Sequence, residues 1–188
     1  MNFEKMGIEG AWITYSQPHD DERGSFKEWF RSDKSLRETN FEFDVKQSNA
    51  STSKRGVIRG IHYSLHPSGQ WKWITCVSGS IFDVVVDIRP DSSTFKSVKE
   101  VKLTEQNGLG VLIQGSLGHA FQAQSENAMV VYNLNSVYAP EFEYEINPLD
   151  AELGIDWPIS DSIISPKDFS APSLAQRGSE SKLPKFMI

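Results

Sequence analysis

Short runs rich in β-branched and aromatic residues follow one another along most of this chain, and turn-forming residues separate them. The clearest runs lie at 11–15, 43–48, 57–63, 72–77 and 81–88, and weaker ones at 98–103, 110–113, 119–123 and 129–134. Such residues favour strands. Many short strands at a spacing of about ten residues are typical of an all-β sandwich, jelly roll or barrel.

The two remaining segments have a different pattern. Residues 32–39 form the one good helical window. Beyond residue 147 the chain is rich in Pro, Ser and Asp, which predicts turns and one short helix on the outside of the barrel. With no internal repeat and no second domain in the pattern, we expect a single domain over residues 1–175 and a C-terminal tail over 176–188.

Composition indicates the cellular compartment and argues against some classes of partner. The net charge is -6, from 19 basic and 25 acidic residues, and this argues against general binding of nucleic acid. The single cysteine, Cys76, cannot form an internal disulfide. Residues 1–9 lack the apolar core of a signal peptide, and no apolar run approaches the length that spans a bilayer. We expect a cytoplasmic protein with no membrane partner.

Polar residues recur inside the predicted strands. Gln47, Asn49 and Ser51 alternate, so they share one face, which is either solvated or a polar wall inside the barrel. Arg59 and His62 lie three residues apart, and a regular strand would send them to opposite faces. Both can face one pocket only if the strand bulges between them, and Gly60 is where a bulge forms most easily.

A histidine, a lysine and a tyrosine could together move a proton beside a carbonyl group. His62 can take a proton near neutral pH, Lys72 can stabilise negative charge on the carbonyl oxygen, and the phenol of Tyr132 can return a proton. The alternative for a lone strand histidine is an ordinary hydrogen-bonded core residue. Lys72 lies between Trp71 and Trp73, whose indoles share the other face as core, as a dimer contact or as a platform for a ligand ring.

Metal binding is the main rival for a β-barrel that contains histidine. The four histidines are His19, His62, His66 and His119, and no two have the His-x-His spacing that places both imidazoles on one strand face. Because a transition-metal site usually needs three or more ligands, we expect no metal. The chain also lacks a Walker A loop and a Gly-rich dinucleotide fingerprint.

An ordered series of motifs resembles the dTDP-4-dehydrorhamnose 3,5-epimerases. The motifs are Asp21-Glu22-Arg23-Gly24, Gln47-Ser48-Asn49, Arg59-Gly60-Ile61-His62, the strand 82–89, Gly118-His119-Ala120-Phe121, Val131-Tyr132, Ile155-Asp156-Trp157-Pro158 and Ser165-Pro166-Lys167-Asp168. The resemblance covers about residues 5–175. It implies a cupin-type jelly roll with short peripheral helices, a homodimer, and a reaction without metal or organic cofactor.

The resemblance also implies a substrate and a set of catalytic roles. The substrate would be a dTDP-linked 4-keto-6-deoxy sugar, whose keto group acidifies the protons at C3 and C5. His62 matches the general base and Tyr132 the general acid on the opposite face of the sugar. Lys72 would stabilise the enolate oxygen, and Asp168 matches the carboxylate that pairs with His62.

Further matches imply nucleotide binding. Arg23 and Arg59 would hold the diphosphate, because a guanidinium suits phosphate oxygens. Glu28 would accept a hydrogen bond from thymine, and Tyr138 would stack on it. The other residues expected to contact the ligand are Phe26, Gln47, Asn49, His119, Glu143 and Lys167.

Departures from the family pattern bear on how many centres are inverted. Ala50 stands where the double epimerases usually carry a histidine near the sugar, and Trp71 interrupts a Gln-Gly-Lys segment. These departures resemble the branch of the family that includes mono-epimerases. The leading expectation is epimerisation at C3 and C5, and a mono-epimerase that acts at C3 or C5 is the alternative. A non-catalytic sugar-nucleotide-binding jelly roll and a metal-dependent cupin are less favoured.

Overall fold

The computed structural model describes residues 1–67 and 69–186. Within these residues there are three short α-helices and fourteen strands. The strands are β1 Asn2–Lys5, β2 Ala11–Tyr15, β3 His19–Asp21, β4 Gly24–Phe26, β5 Gln47–Ser53, β6 Val57–Ser64, β7 Lys72–Ser78, β8 Ser80–Val86, β9 Val98–Thr104, β10 Leu109–Ile113, β11 Gly118–Ala123, β12 Ala128–Leu134, β13 Glu143–Glu145 and β14 Ile163–Ile164. The helices are α1 Ser32–Thr39, α2 Pro166–Phe169 and α3 Leu174–Ser179, with a 3₁₀ turn at Pro140–Phe142.

Two sheets form the barrel. The first sheet has the order β1-β2-β10-β7-β12-β5, and the second has the order β13-β6-β11-β8-β9, with β14 beside β6. All the pairings are antiparallel except β14 with β6, and β3 and β4 form a separate hairpin. The all-β jelly roll with short peripheral helices is confirmed. Within the described residues, no helix is long and apolar enough to span a membrane.

Most predicted elements appear, with shifted ends. The helix predicted at 32–39 is confirmed as α1, and it ends at Asn40 in a left-handed conformation (φ 58°) that suits Asn. The strand predicted at 43–48 begins only at Gln47, because Phe43 leaves the sheet and packs, fully buried, among other aromatic rings. The short strands β1, β3, β4, β13 and β14 were not predicted, since two to four residues carry little periodic signal.

The two indoles beside Lys72 belong to the core. Trp73 is fully buried, and its Nε1 donates a hydrogen bond to the Thr14 hydroxyl at 3.2 Å. Trp71 stacks on Phe41 with 3.9 Å between ring centroids, and on Trp12 at 5.8 Å. Of the three readings left open by the sequence, core packing is the one observed. These rings cover the outer face of β7, so its opposite face is free to line the barrel interior.

The C-terminal residues pack against the barrel. The hydroxyl of Tyr63 donates a hydrogen bond to the carbonyl of Lys182, and Leu183 joins the apolar cluster around Ile61 and Ile146. Helix α3 runs across the boundary expected at residue 175. The division into a domain and a tail stays a prediction, and residues 187 and 188 of that tail lie outside the described residues.

Strand β6 carries the predicted bulge. His62 lies opposite His119 on β11, and Arg59 lies opposite Phe121, so β6 spends three steps where β11 spends two. Gly60 sits in the extra step with φ +118°, a conformation that L side chains rarely adopt. A Cβ atom there would lie 2.5 Å from the carbonyl oxygen of His119. The bulge places the side chains of Arg59 and His62 in the same cavity.

We predict that Gly60→Ala lowers the free energy of unfolding by about 2–5 kcal/mol, because it combines a strained φ with a steric overlap. Chemical denaturation measures the loss. Gly24→Ala is the matched control, since Gly24 has φ +127° but a Cβ atom added there would meet nothing within 4 Å. The control should lose only about 1 kcal/mol. Equal losses in both variants would contradict the tight contact between β6 and β11.

Candidate active site

A cavity opens between the two sheets and has two lobes. The inner lobe has a volume of about 170 Å³ and is lined from β5, β7 and β12 of the first sheet and from β6 and β11 of the second. Its lining residues are Ser51, Arg59, His62, Lys72, Ile74, His119, Phe121, Val130 and Tyr132. The outer lobe, of about 190 Å³, shares His62, Lys72 and Tyr132 with it. The three residues singled out for proton chemistry therefore stand where the lobes meet.

His62 is held by Asp168. The Nε2 atom of His62 lies 2.8 Å from Oδ1 of Asp168, whose side chain is 6% exposed. This contact leaves Nδ1 as the ring nitrogen that can take a proton. Burial alone would raise the pKa of Asp168, but hydrogen bonds from His62, Ser165 and the Gly60 backbone, with the charge of His62, leave that pKa below its ordinary value. Asp168 therefore stays ionised and fixes the imidazole.

Helix α2 places Asp168 under the imidazole. Pro166 begins the helix, and the Ser165 hydroxyl caps it by accepting a hydrogen bond from the Asp168 backbone N–H. Lys167, the neighbour of Asp168, pairs with Glu145 on β13 at 3.2 Å. Helix α2 is therefore held against the second sheet by two contacts, that of Asp168 with His62 and that of Lys167 with Glu145.

Lys72 is the first residue of β7, and it lines both lobes. Burial lowers the pKa of its ammonium group, and the charge of Glu143 opposes that shift. Glu143 also accepts a hydrogen bond from Nε2 of Gln70 at 3.1 Å. A cation in such a shielded position suits charge that develops on a ligand oxygen.

Tyr132 approaches the cavity from the wall opposite His62. It lies on β12 of the first sheet, between Asn49 on β5 and Ile74 on β7, whereas His62 lies on β6 of the second sheet. A flat ligand held between the sheets would therefore have an imidazole on one side and a phenol on the other. This is the arrangement that a proton transfer with inversion needs.

Positive and neutral donors dominate the inner lobe. Arg59 reaches from the second sheet to the first, where its Nε donates to the Ser53 hydroxyl at 3.0 Å and its Nη2 to the Thr52 carbonyl at 3.4 Å. His119 pairs with Asp83 at 2.8 Å. Of the described residues that line this lobe, none carries a carboxylate. The lobe is suited to a ligand that is anionic or becomes so.

The outer lobe collects five of the ten residues predicted to bind the sugar nucleotide. Gln47, Asn49, Tyr138, Glu143 and Lys167 line it. Gln47 donates a hydrogen bond from Nε2 to Asn49 at 3.0 Å and accepts one from the backbone N–H of Tyr138 at 2.7 Å. The alternating Gln47, Asn49 and Ser51 therefore form the polar wall, rather than the solvated face, of the two readings that the sequence left open.

Three predicted ligand contacts lie elsewhere. Arg23 and Phe26 belong to the β3–β4 hairpin, where the Arg23 side chain is 88% exposed and pairs with Asp21. Phe26 is 70% exposed. Glu28 follows the hairpin and lies 3.9 Å from Arg31. None of these three residues lines either lobe of the cavity in the single chain.

The structure adds residues that sequence reasoning did not assign to the site. Ile74, Phe121 and Val130 form an apolar part of the inner lobe, and nothing in the sequence separates them from core residues. Asp83 had a signal, as an acidic residue inside the apolar run 81–88. Ala50 corrects an expectation, because its side chain lies on the exposed face of β5, away from the cavity. Its replacement of a histidine does not alter the lining.

The side chains that could bind a metal ion are not clustered in the described residues. Across residues 1–67 and 69–186, no three His, Cys, Asp or Glu side chains are grouped so that they could hold an ion. The two histidines of the inner lobe each face a carboxylate of their own instead. Their ring nitrogens on that side are therefore occupied by hydrogen bonds.

Comparison with known proteins finds epimerases of dTDP-linked deoxy sugars. Residues 5–176 match the family model described as dTDP-4-dehydrorhamnose 3,5-epimerase. The chain is 40% identical to the dTDP-4-dehydrorhamnose 3,5-epimerase of Mycolicibacterium smegmatis, over 99% of this chain and 92% of that protein. It is also 40% identical to a dTDP-4-dehydro-6-deoxyglucose 3-epimerase of a Streptomyces species, over 96% and 93%.

A solved structure has nearly the same fold. The crystal structure of NovW, a 4-keto-6-deoxy sugar epimerase from the novobiocin biosynthetic gene cluster of Streptomyces spheroides, matches with a TM-score of 0.96 and 37% identity. The match covers 99% of this chain and 94% of that one.

Proposed function

Because this chain belongs to the dTDP-4-dehydrorhamnose 3,5-epimerase family, we propose that it epimerises a dTDP-linked 4-keto-6-deoxy sugar at C3 and C5, as in the biosynthesis of dTDP-L-rhamnose-type sugars. The observation that carries this proposal is the placement of His62, with Asp168 behind it, and Tyr132 on opposite walls of one cavity. Lys72 lies between them. No metal and no organic cofactor take part, because the substrate's own keto group acidifies the neighbouring protons.

The first step removes a proton. Nδ1 of His62 takes the proton from the carbon next to the keto group. The electron pair of that C–H bond forms a C=C bond to the carbonyl carbon, and the π pair of the C=O bond moves to the oxygen. The product is an enolate and an imidazolium. Asp168 stabilises the imidazolium, because its carboxylate stays ionised at 2.8 Å from Nε2.

The second step returns a proton to the other face. Lys72 stabilises the enolate oxygen by its charge, in a cavity where water screens the interaction poorly. Tyr132 then donates its phenolic proton to the carbon from the wall opposite His62, and the centre inverts. Exchange with solvent returns a proton to the tyrosinate and removes one from the imidazolium.

The lobes divide the substrate between them. The sugar ring occupies the inner lobe, and the nucleotide occupies the outer lobe, where Tyr138 stacks on thymine. Gln47, Asn49, Glu143 and Lys167 contact the nucleotide portion, and Arg59, which lines the inner lobe, binds a phosphate oxygen. Supporting this division, polar side chains concentrate in the outer lobe and the proton-transfer residues at the junction.

A mono-epimerase that acts at C3 is the second candidate. A relative at 40% identity is named a 3-epimerase, so the family resemblance alone supports both activities. Both would use the same base, acid and lysine. They differ in whether the enolate at the second carbon also forms.

The number of exchanging carbons tests the proposal. We predict that the enzyme, incubated with dTDP-4-keto-6-deoxyglucose in deuterated water, incorporates deuterium at both C3 and C5, because each inverted centre receives its proton from a group that exchanges with solvent. Proton NMR follows the loss of the two signals. Loss at C3 alone would identify the mono-epimerase, and no loss at either carbon would refute the epimerase function.

A homodimer accounts for the three residues outside the cavity. We propose that the β3–β4 hairpin of one protomer reaches the cavity of its partner, where Arg23 contacts the diphosphate and Glu28 the thymine. The hairpin supports this proposal, because Phe26 and the guanidinium of Arg23 are exposed on it. An exposed aromatic ring beside a cation is typical of an interface.

Mixed dimers test the shared site. Arg23→Ala and His62→Asn are each expected to impair turnover strongly, since one loses diphosphate binding and the other the base. When the two variants are unfolded and refolded together, we predict recovery of about a quarter of wild-type activity, because half of the dimers are mixed and each has one intact site. Refolding each variant alone is the control. If mixing restores no activity, Arg23 does not act across the interface.

The cytoplasm is the compartment that we propose. The one cysteine, Cys76, is buried and free, and burial raises its pKa to about 11. A thiol of this kind is unreactive and needs no oxidising environment.

A further inference from the structure

His119, which lines the inner lobe, forms a second carboxylate–imidazole pair with Asp83 behind it, and the proposed mechanism does not use this pair. Nε2 of His119 lies 2.8 Å from Oδ2 of Asp83, the same separation as between His62 and Asp168. His119 lies directly opposite His62 on the neighbouring strand. Across β6, β11 and β8 the second sheet therefore carries two imidazoles side by side, each backed by a carboxylate.

The buried carboxylate of Asp83 is expected to lower the stability of the fold. Asp83 is fully buried in β8, where Phe121 on β11 and Val101 on β9 are its cross-strand partners. Its Oδ1 has no hydrogen-bond partner within the described part of the chain, so His119 is the side chain that this carboxylate engages. Burying a carboxylate with so few partners costs stability, and packing alone would be served better by an apolar side chain. An effect of the carboxylate on His119 therefore explains its presence better than packing does.

The contact fixes how His119 meets a ligand. The side chain of His119 is only 11% exposed, and what remains accessible lies in the inner lobe. Because Nε2 is engaged by Asp83, Nδ1 is the ring nitrogen left to bind a ligand. Without the carboxylate, the ring could rotate or change tautomer, and the ligand would lose a fixed partner.

We propose that Asp83 is a positioning residue that holds His119 by its Nε2 atom, so that Nδ1 of His119 forms a hydrogen bond with the sugar portion of the sugar nucleotide in the inner lobe. This inference rests on the proposed function and deepens it. The second sheet then acts on the sugar through two oriented imidazoles, with His62 as the base and His119 as a ligand contact.

A double-mutant cycle tests whether Asp83 acts through His119. Deuterium incorporation from solvent into dTDP-4-keto-6-deoxyglucose gives kcat/KM for Asp83→Asn, His119→Gln and the double variant. Each single change is expected to lower kcat/KM about 10- to 100-fold, the range for losing a hydrogen bond to a charged group. The double variant should be no worse than the weaker single variant, because one interaction is removed in each case. Losses that multiply in the double variant would overturn the proposal.

Two further variants give the controls. Asp161→Asn removes an exposed carboxylate and should leave kcat/KM at the wild-type value. Asp168→Asn disables the other pair and should be additive with His119→Gln, since it acts through His62. Thermal unfolding of each variant separates a loss of fold from a loss of function. Wild-type enzyme that incorporates no deuterium would refute the epimerase function itself, whereas unchanged kcat/KM in Asp83→Asn would refute only the role of Asp83.

If Asp83→Asn does not fold, a measurement on the wild-type protein tests the proposed contact between His119 and the ligand. Ring ¹⁵N NMR, with His119 assigned by comparison with His119→Gln, reports both ring nitrogens separately. The probe is dTDP-glucose, which lacks the keto group and does not react. We expect it to shift the Nδ1 resonance of His119 and to leave Nε2 in its carboxylate-bound position. An Nδ1 resonance that stays unmoved at saturating dTDP-glucose would overturn the proposal.

Discussion

The bulge at Gly60 is the constraint on which the site depends. In a regular strand, Arg59 and His62 would face opposite sides of β6, one toward the core and one toward solvent. The extra residue turns both toward the cavity. The backbone of Gly60 also helps to lower the pKa of the Asp168 carboxyl, so the bulge lies beside both His62 and its partner. A glycine is needed because β11 passes too close for any side chain.

The two-sheet architecture separates the proposed base from the proposed acid. His62 and His119 project from the second sheet, and Lys72 and Tyr132 project from the first. A sugar ring between the sheets has its two faces toward different chemical groups without any movement of the chain. The carboxylates that orient the imidazoles lie behind them and leave the lining of the inner lobe free of negative charge. The enolate of the proposed mechanism would therefore lie beside cations and hydrogen-bond donors.

Strand-forming runs predicted an all-β sandwich, jelly roll or barrel, and the resemblance to the epimerase family singled out the jelly roll. Helix propensity predicted α1, and the assignment of Arg59 and His62 to one site predicted the bulge at Gly60. His62, Lys72 and Tyr132 lie together at the junction of the lobes, and Asp168, which is 106 residues from His62 in the chain, lies behind His62. The apolar lining residues Ile74, Phe121 and Val130 could not be predicted, since a cavity wall and a core have the same pattern. The hairpin with Arg23 was assigned to the site, yet a single chain does not bring it there, because the sequence does not distinguish contacts within a chain from contacts between two copies.

Solvent deuterium exchange by Tyr132→Phe and His62→Asn is the most direct test of the central claim, that one imidazole removes the proton and the opposite phenol returns it. The account predicts that Tyr132→Phe still exchanges substrate protons for deuterium but yields no inverted product, because His62 can remove a proton and return deuterium on the same face. It predicts that His62→Asn does neither. Exchange by His62→Asn at the wild-type rate, or inversion by Tyr132→Phe at the wild-type rate, would contradict it.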